Sequence, residues 1–126
     1  MFISYSMNKK TVVLGASPKV DRYSNKAVRM LRSNQHAVIA LGFEEAFIGD
    51  TQIETDWKLH KDVDTVTLYL NPQRQQAYYD YILSLNPKRI IFNPGTENIE
   101  LASLAHQKNI TTLEACTLVL LSTGQY

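Results

Sequence analysis

Along this chain, short uninterrupted apolar runs alternate with stripes of helical spacing. Thr11 to Leu14 is a β-branched run that stops at Gly15, as a buried strand does. Ser24 to Ser33 then sets Ala27, Val28 and Leu31 on one helical face, with Ser24 as the expected N-cap. Ala37 to Leu41 is a second strand-like run, closed by Gly42, and Thr65 to Leu70 is a third, ended by Asn71-Pro72. From Gln73 to Leu85, apolar residues fall at Ala77, Tyr78, Tyr81, Ile82 and Leu85, a spacing that predicts one helix. Tyr78 and Tyr81 belong to its core face, and Tyr79 lies off that face, toward solvent.

Arg89 to Phe92 reads as a fourth strand, stopped by Asn93-Pro94-Gly95. A helix is predicted from about Glu97 to Lys108: Glu97 and Glu100 suit the dipole of its first turn, and Asn109 can close it left-handed. Ile110 to Leu113 gives a fifth strand, and Glu114 to about Ser122 a last helix that ends near Gly124. Between Phe43 and Asp62 the apolar anchors Phe47, Ile48, Ile53, Trp57 and Leu59 follow no long period. That segment reads as a loop with a short strand and one helical turn.

Strands alternating with helices imply a parallel sheet with right-handed crossovers. The expected fold is therefore α/β: a Rossmann-like, doubly wound, parallel five-stranded sheet with helices on both faces. With 126 residues, one domain is expected over 9–126, behind a disordered extension at 1–8 in which Met7 is an alternative start. A formal charge of +1 shows no basic excess for a nucleic-acid or membrane surface, and no apolar run approaches the ~18 residues of a membrane span. The single Cys116 excludes an internal disulfide and makes a reducing cytoplasm the default setting. No metal-ligand spacing stands in the chain.

In an open α/β sheet, ligands collect beyond the carboxyl ends of the strands, where the strand order reverses. Those ends are Gly15 to Ser24, Leu41 to Glu45, Leu70 to Gln73 and Asn93 to Asn98. The first is a strand, turn and helix start, where free N–H groups and the helix dipole attract a phosphate. Gly15 lets the turn pass close to a diphosphate, although no second Gly completes a GxGxxG pattern, and the same residue types form ordinary turns. Arg22 and Lys19 read either as a phosphate grip or as solvated surface cations; Ser24 reads as phosphate ligand, helix cap or both. Glu44 and Glu45 stand where an acidic residue holds a ribose hydroxyl in NAD-binding folds, and where a solvated loop carboxylate would also stand. No catalytic residue is assigned. His36, His60 and His106 are expected at surfaces or edges, and Cys116 as a small buried residue on an apolar helix.

Taken together, these residues resemble a known family. Val13-Leu14-Gly15-Ala16-Ser17, then Arg22, Ser24, Val28 and Leu31, are similar to the first loop and helix of the small stand-alone CoA-binding domain proteins. Ile91-Phe92-Asn93-Pro94-Gly95-Thr96-Glu97-Asn98 resembles that family's strand and following Q-x-G-x-x-N-E loop. Val63-Asp64-Thr65-Val66 and Ile48-Gly49 match two further segments, and Cys116 falls where many members carry Asp-Arg-Cys. The likeness runs from about Lys10 to Ser122, with two departures. Leu41-Gly42-Phe43 replaces the family's Pro or Asn-Pro, with Glu44-Glu45 bringing no cation for the 3′-phosphate of CoA, and the first-loop Pro is displaced: Pro18 directly follows Ser17, and Asp21 stands just before Arg22.

The resemblance implies a fold related to the N-terminal domain of succinyl-CoA synthetase alpha subunits, with CoA or an acyl-CoA bound and no chemistry assigned. Gly15, Ala16, Ser17, Lys19, Arg22, Tyr23 and Ser24 would hold the diphosphate. Gly42 and Phe43 would approach the adenosine. Asn71 and Pro72, with Asn93, Pro94, Gly95 and Asn98, would line the remainder. The alternatives are NAD or another nucleotide, and a ligand-free interaction module that forms a homo-oligomer.

Overall fold

Six strands lie parallel in one twisted sheet, and a seventh extends it antiparallel at one edge. The computed structural model describes residues 8–126. The expected extension at 1–8 falls, apart from Asn8, outside the described residues. The strands are β1 (Thr11–Ala16), β2 (Val38–Gly42), β3 (Phe47–Ile48), β4 (Thr51–Glu54), β5 (Thr65–Leu68), β6 (Arg89–Phe92) and β7 (Thr111–Glu114). The helices are α1 (Tyr23–Ser33), α2 (Pro72–Gln75), α3 (Tyr79–Ser84), α4 (Ile99–Gln107) and α5 (Thr117–Ser122), with a 3-10 turn at Gln76–Tyr78.

The strand order is β3-β4-β2-β1-β5-β6-β7. The sheet thus grows outward in both directions from β1, and the order reverses between β1 and β5. Along β1 the side chains alternate: Val12 and Leu14 join a core with Ile82, Leu85, Leu101 and Ala105, while Val13 and Ala16 join one with Val28, Leu31 and Leu121. Helices α3 and α4 therefore cover one face and α1 and α5 the other, as the doubly wound reading expects.

Seven strands replace the five expected. The two extra ones form a hairpin in the segment read as a loop, turning at Gly49-Asp50 with Gly49 at φ +59. Phe47 faces Gln52 and Ile48 faces Thr51, and β4 joins β2 through Ala40↔Ile53 and Leu41↔Glu54. Strands of two and four residues bury too few apolar positions to show a period in sequence, so only their pairing reveals them.

Three helix readings are corrected. The helix expected over Gln73 to Leu85 is divided by the 3-10 turn, whose tighter winding shifts the phase of the buried face. Gln75, the last residue of α2, is fully buried and donates to the Leu70 and Thr96 carbonyls at 2.8 Å each, while Ala77 is exposed. Ser24 does not cap α1: it lies buried one residue inside the helix, and the flanking Arg22 makes no side-chain cap. The fourth helix starts at Ile99, because Asn98 caps it by accepting from the Leu101 N–H, and Glu97 instead accepts from the Gly95 N–H. Asn109, at φ +61, closes α4 as expected.

His36 is buried, contrary to the surface or edge position expected. Its Nδ1 accepts the Lys9 N–H at 2.9 Å, and its ring tilts against Tyr126 with centroids 5.0 Å apart. Tyr126 is itself held, its main-chain oxygen accepting from Lys9 Nζ and Arg89. Burial, and then the charges of Lys9 and Arg89, lower the His36 pKa against a smaller opposing pull from Asp64. A histidine whose folded pKa is depressed stabilises the fold above its unfolded value of about 6.5 and loses that contribution as pH falls below it. Urea midpoints should therefore fall between pH 7 and pH 5 more steeply in the parent than in His36→Gln. Parallel slopes in the two proteins would contradict this.

Cys116 is the half-buried residue flanking the start of α5 and does not lie inside the helix. Tyr79 is also half-buried; its hydroxyl accepts from Asn98 and donates to Glu100.

Candidate functional site

Beyond Leu14 the last two residues of β1 must pass close against the chain that leaves β5. Gly15 makes this approach at φ +102, at an irregularity in the β1–β2 register. A Cβ there would stand 3.0 Å from the Tyr69 carbonyl carbon. The turn that follows is tied by bonds from the Lys19 N–H to Ser17 Oγ and from the Arg22 N–H to the Lys19 carbonyl, at 3.2 and 3.1 Å. Asn25, buried in α1, reaches back to the Ser17 carbonyl at 2.9 Å. Together these bonds fix the loop against the N-terminus of α1.

A cleft of about 370 Å³ opens here. One wall is the loop from Gly15 to Lys19 with Arg22, Tyr23 and Ser24; Phe43 and Glu44 follow β2, and Tyr69, Leu70 and Arg74 follow β5. It lies outside the carboxyl ends of β2, β1 and β5, at the reversal of strand order where such folds collect ligands. Of the residues singled out in the sequence, the fold brings Gly15, Ala16, Ser17, Lys19, Arg22, Tyr23, Ser24 and Phe43 to this cleft. Glu44 joins them, and Glu45 does not.

The others have different surroundings. Gly42 is buried behind Phe43, where a Cβ would collide with the Ala16 carbonyl oxygen. Asn71 and Pro72 open α2, with Asn71 capping it through the Arg74 N–H at 2.9 Å. Asn93 is 3% exposed, and its side chain is bonded inside the protein to Thr67, Leu68 and Thr117. Asn98 joins α4 to Gln75 and Tyr79, and Pro94 and Gly95 are exposed away from the cleft.

The strand end at Leu70, read as a place for ligands, does reach the cleft, but sequence reading missed its neighbours Tyr69 and Arg74. Their signal was a strand end followed at once by a helix bearing a cation in its first turn. Tyr69 keeps its hydroxyl buried and without a hydrogen-bond partner, and this burial pushes its pKa far above the phenol range. It is a neutral wall residue.

Charge distinguishes this cleft. Lys19, Arg22 and Arg74 are exposed, and none lies within 4.0 Å of a carboxylate among the described residues. The Arg32–Asp50 ion pair and the His60–Glu54 hydrogen bond lie outside its walls. The Arg74 guanidinium sits 4.6 Å over the Phe43 ring. Phe43 leans on Trp57 at 5.4 Å, and the Trp57 indole N–H donates to the Gly42 carbonyl at 3.1 Å. Such an arrangement can hold an anion: free cations and the dipole of an eleven-residue helix converge on one pocket. Among the described residues no group of three or more His, Cys, Asp or Glu could hold a metal, and no helix is long and apolar enough to cross a membrane.

Fold and cleft together define a Rossmann-like α/β domain with an anion-attracting pocket at its topological switch point. Within that class the chain belongs to the CoA binding domain family, whose model matches residues 9–122. The chain is 45% identical to a protein of known crystal structure described only as uncharacterized, with a TM-score of 0.92 over 94% of this chain and 98% of that one. A Thermus thermophilus structure at 20% identity gives a TM-score of 0.80 over 96% and 92% of the two chains. A hypothetical protein from Pyrococcus horikoshii OT3, also 20% identical, gives 0.82 over 94% and 84%. The latter two bear on the fold alone. No curated protein matches the chain.

Proposed function

We propose that this protein binds CoA or an acyl-CoA without transforming it, with the diphosphate seated between the Gly15–Ser24 loop and the N-terminus of α1. The observation that carries the reading is the pair of exposed cations Lys19 and Arg22, free of carboxylates among the described residues, on the loop that leads into that helix. Membership of a CoA-binding family supplies the identity of the anion. The cleft is large enough for the phosphate-bearing part of a nucleotide and open enough for a longer arm to leave it.

Arg22→Ala should weaken CoA binding by about 1–3 kcal/mol, the range for losing a charged hydrogen bond, or roughly 5- to 150-fold in Kd. Titration calorimetry reads this directly, and an unchanged affinity would remove Arg22 from the diphosphate site. Glu44 on the cleft wall favours a second reading, NAD with its ribose hydroxyls on that carboxylate. Thermal unfolding with CoA and with NAD separates them, since a ligand bound only by the folded state raises Tm. A rise with NAD and none with CoA would overturn the proposal.

A further inference from the structure

The cleft has two positive poles, and only one belongs to the diphosphate loop. Lys19 and Arg22 come from the turn between β1 and α1. Arg74 comes from the first turn of α2, beyond β5. It leans over Phe43, which follows β2, so the two side chains meet across the end of β1, the strand between them in the sheet. Phe43 is in turn braced by Trp57 and Tyr78, with ring centroids 5.4 and 6.3 Å away. The platform under the guanidinium is therefore a built wall, held by a second layer of rings.

Stacking sets the plane of a guanidinium and leaves its N–H donors at the rim, where they can grip a phosphate two at a time. Arg74 makes no side-chain hydrogen bond and no ion pair among the described residues. The nearby carboxylate on the wall, Glu44, does not reach it, and the cleft carries three cations against this one acid. An oriented, uncommitted cation on a different element from the diphosphate loop suits a ligand that carries a second anion.

We infer that Arg74 is a specificity-determining residue that takes a phosphate on the ribose of the bound nucleotide. This rests on the reading that the Gly15–Ser24 loop holds the diphosphate, and assigns the cleft's remaining cation to a second anionic group of the same ligand. The cleft thereby selects nucleotides with a diphosphate and a ribose phosphate over those with free ribose hydroxyls. Glu44, on the same wall, opposes a phosphate there, so the choice depends on Arg74 outweighing it.

The test is titration calorimetry of the intact protein, Arg74→Gln and Arg74→Lys with CoA and with 3′-dephospho-CoA. The parent should bind CoA at least about tenfold more tightly than 3′-dephospho-CoA. Arg74→Gln should remove most of this preference, by weakening CoA far more than 3′-dephospho-CoA. Arg74→Lys should restore part of the preference. Equal affinities in the parent, or a preference retained in Arg74→Gln, would overturn the inference and leave the diphosphate site standing. No binding of either ligand by the parent, with a normal unfolding transition, would overturn both. Arg74 is exposed and bonds to the fold only through its main chain and the Phe43 ring, so the variants should fold as the parent does.

Discussion

Gly15→Ala should destabilise the protein by about 2–4 kcal/mol, read as a fall in the urea midpoint at unchanged slope. Two costs combine. At φ +102 a residue with a Cβ is strained wherever it stands. Here the added methyl also meets the Tyr69 carbonyl carbon at 3.0 Å and Leu70 Cδ2 at 3.1 Å, and one of these is backbone that cannot swing aside. Gly95→Ala supplies the comparison: φ is +91, yet nothing lies within 4 Å of the new atom, so only the strain of about 1–2 kcal/mol should appear. Equal losses in the two variants would mean that the approach of Gly15 to Tyr69 and Leu70 is looser than described. The comparison also bears on function, because Gly15 is then required by the packing of the strands whether or not a ligand approaches it.

Asn93→Ala should cost a similar ~2–4 kcal/mol, for a different reason. The side chain of Asn93 donates to Thr67 Oγ1 at 2.6 Å and to the Leu68 carbonyl at 2.9 Å, and accepts the Thr117 N–H at 2.8 Å. Thr67 and Thr117 also bond each other at 2.8 Å, and both are fully buried. One amide thus joins β5, β6 and the start of α5 where no water can replace it. Alanine would leave the Thr117 N–H without this partner in the interior, and each unpaired buried group costs about 1–3 kcal/mol. A loss under about 1 kcal/mol in thermal or urea unfolding would show that the three elements are held together mainly by their apolar contacts.

These two residues illustrate what a single sequence discloses. The turn at Gly15 was legible because a buried β-branched run, a glycine and a helical stripe are all local patterns, each with one backbone reason. The parallel sheet and its two helical faces followed from such runs, and most strands fell within a residue or two of their expected places. The hairpin at Gly49 was not legible, since the pairing of Ile48 with Thr51 stabilises it and two residues carry no period. The 3-10 turn at Gln76–Tyr78 escaped for a related reason: the spacing of Ala77, Tyr78 and Tyr81 suits a regular helix, and the inward turn of Gln75 depends on carbonyls at Leu70 and Thr96.

At the cleft, the Gly15–Ser24 side could be read because it is contiguous. Arg74 could not, because its place over Phe43 is made by β2 and β5 flanking β1 in the sheet, which no local pattern records. Asn93 stood in a motif that resembled a binding loop, and sequence alone could not show that its amide is committed to Thr67 and Thr117.

The aromatic wall has an optical consequence. Trp57 is the chain's single tryptophan, and it lies one ring behind Phe43 with its indole N–H tied to the strand end at Gly42. Emission from one indole therefore reports on one side of one cleft, with no other tryptophan to dilute it. A ligand that moves Phe43 or draws Arg74 away from it should alter that emission, whereas a molecule adhering to the far end of the sheet should not. The protein carries its own unlabelled fluorescent reporter, placed beside the residues whose role is in question.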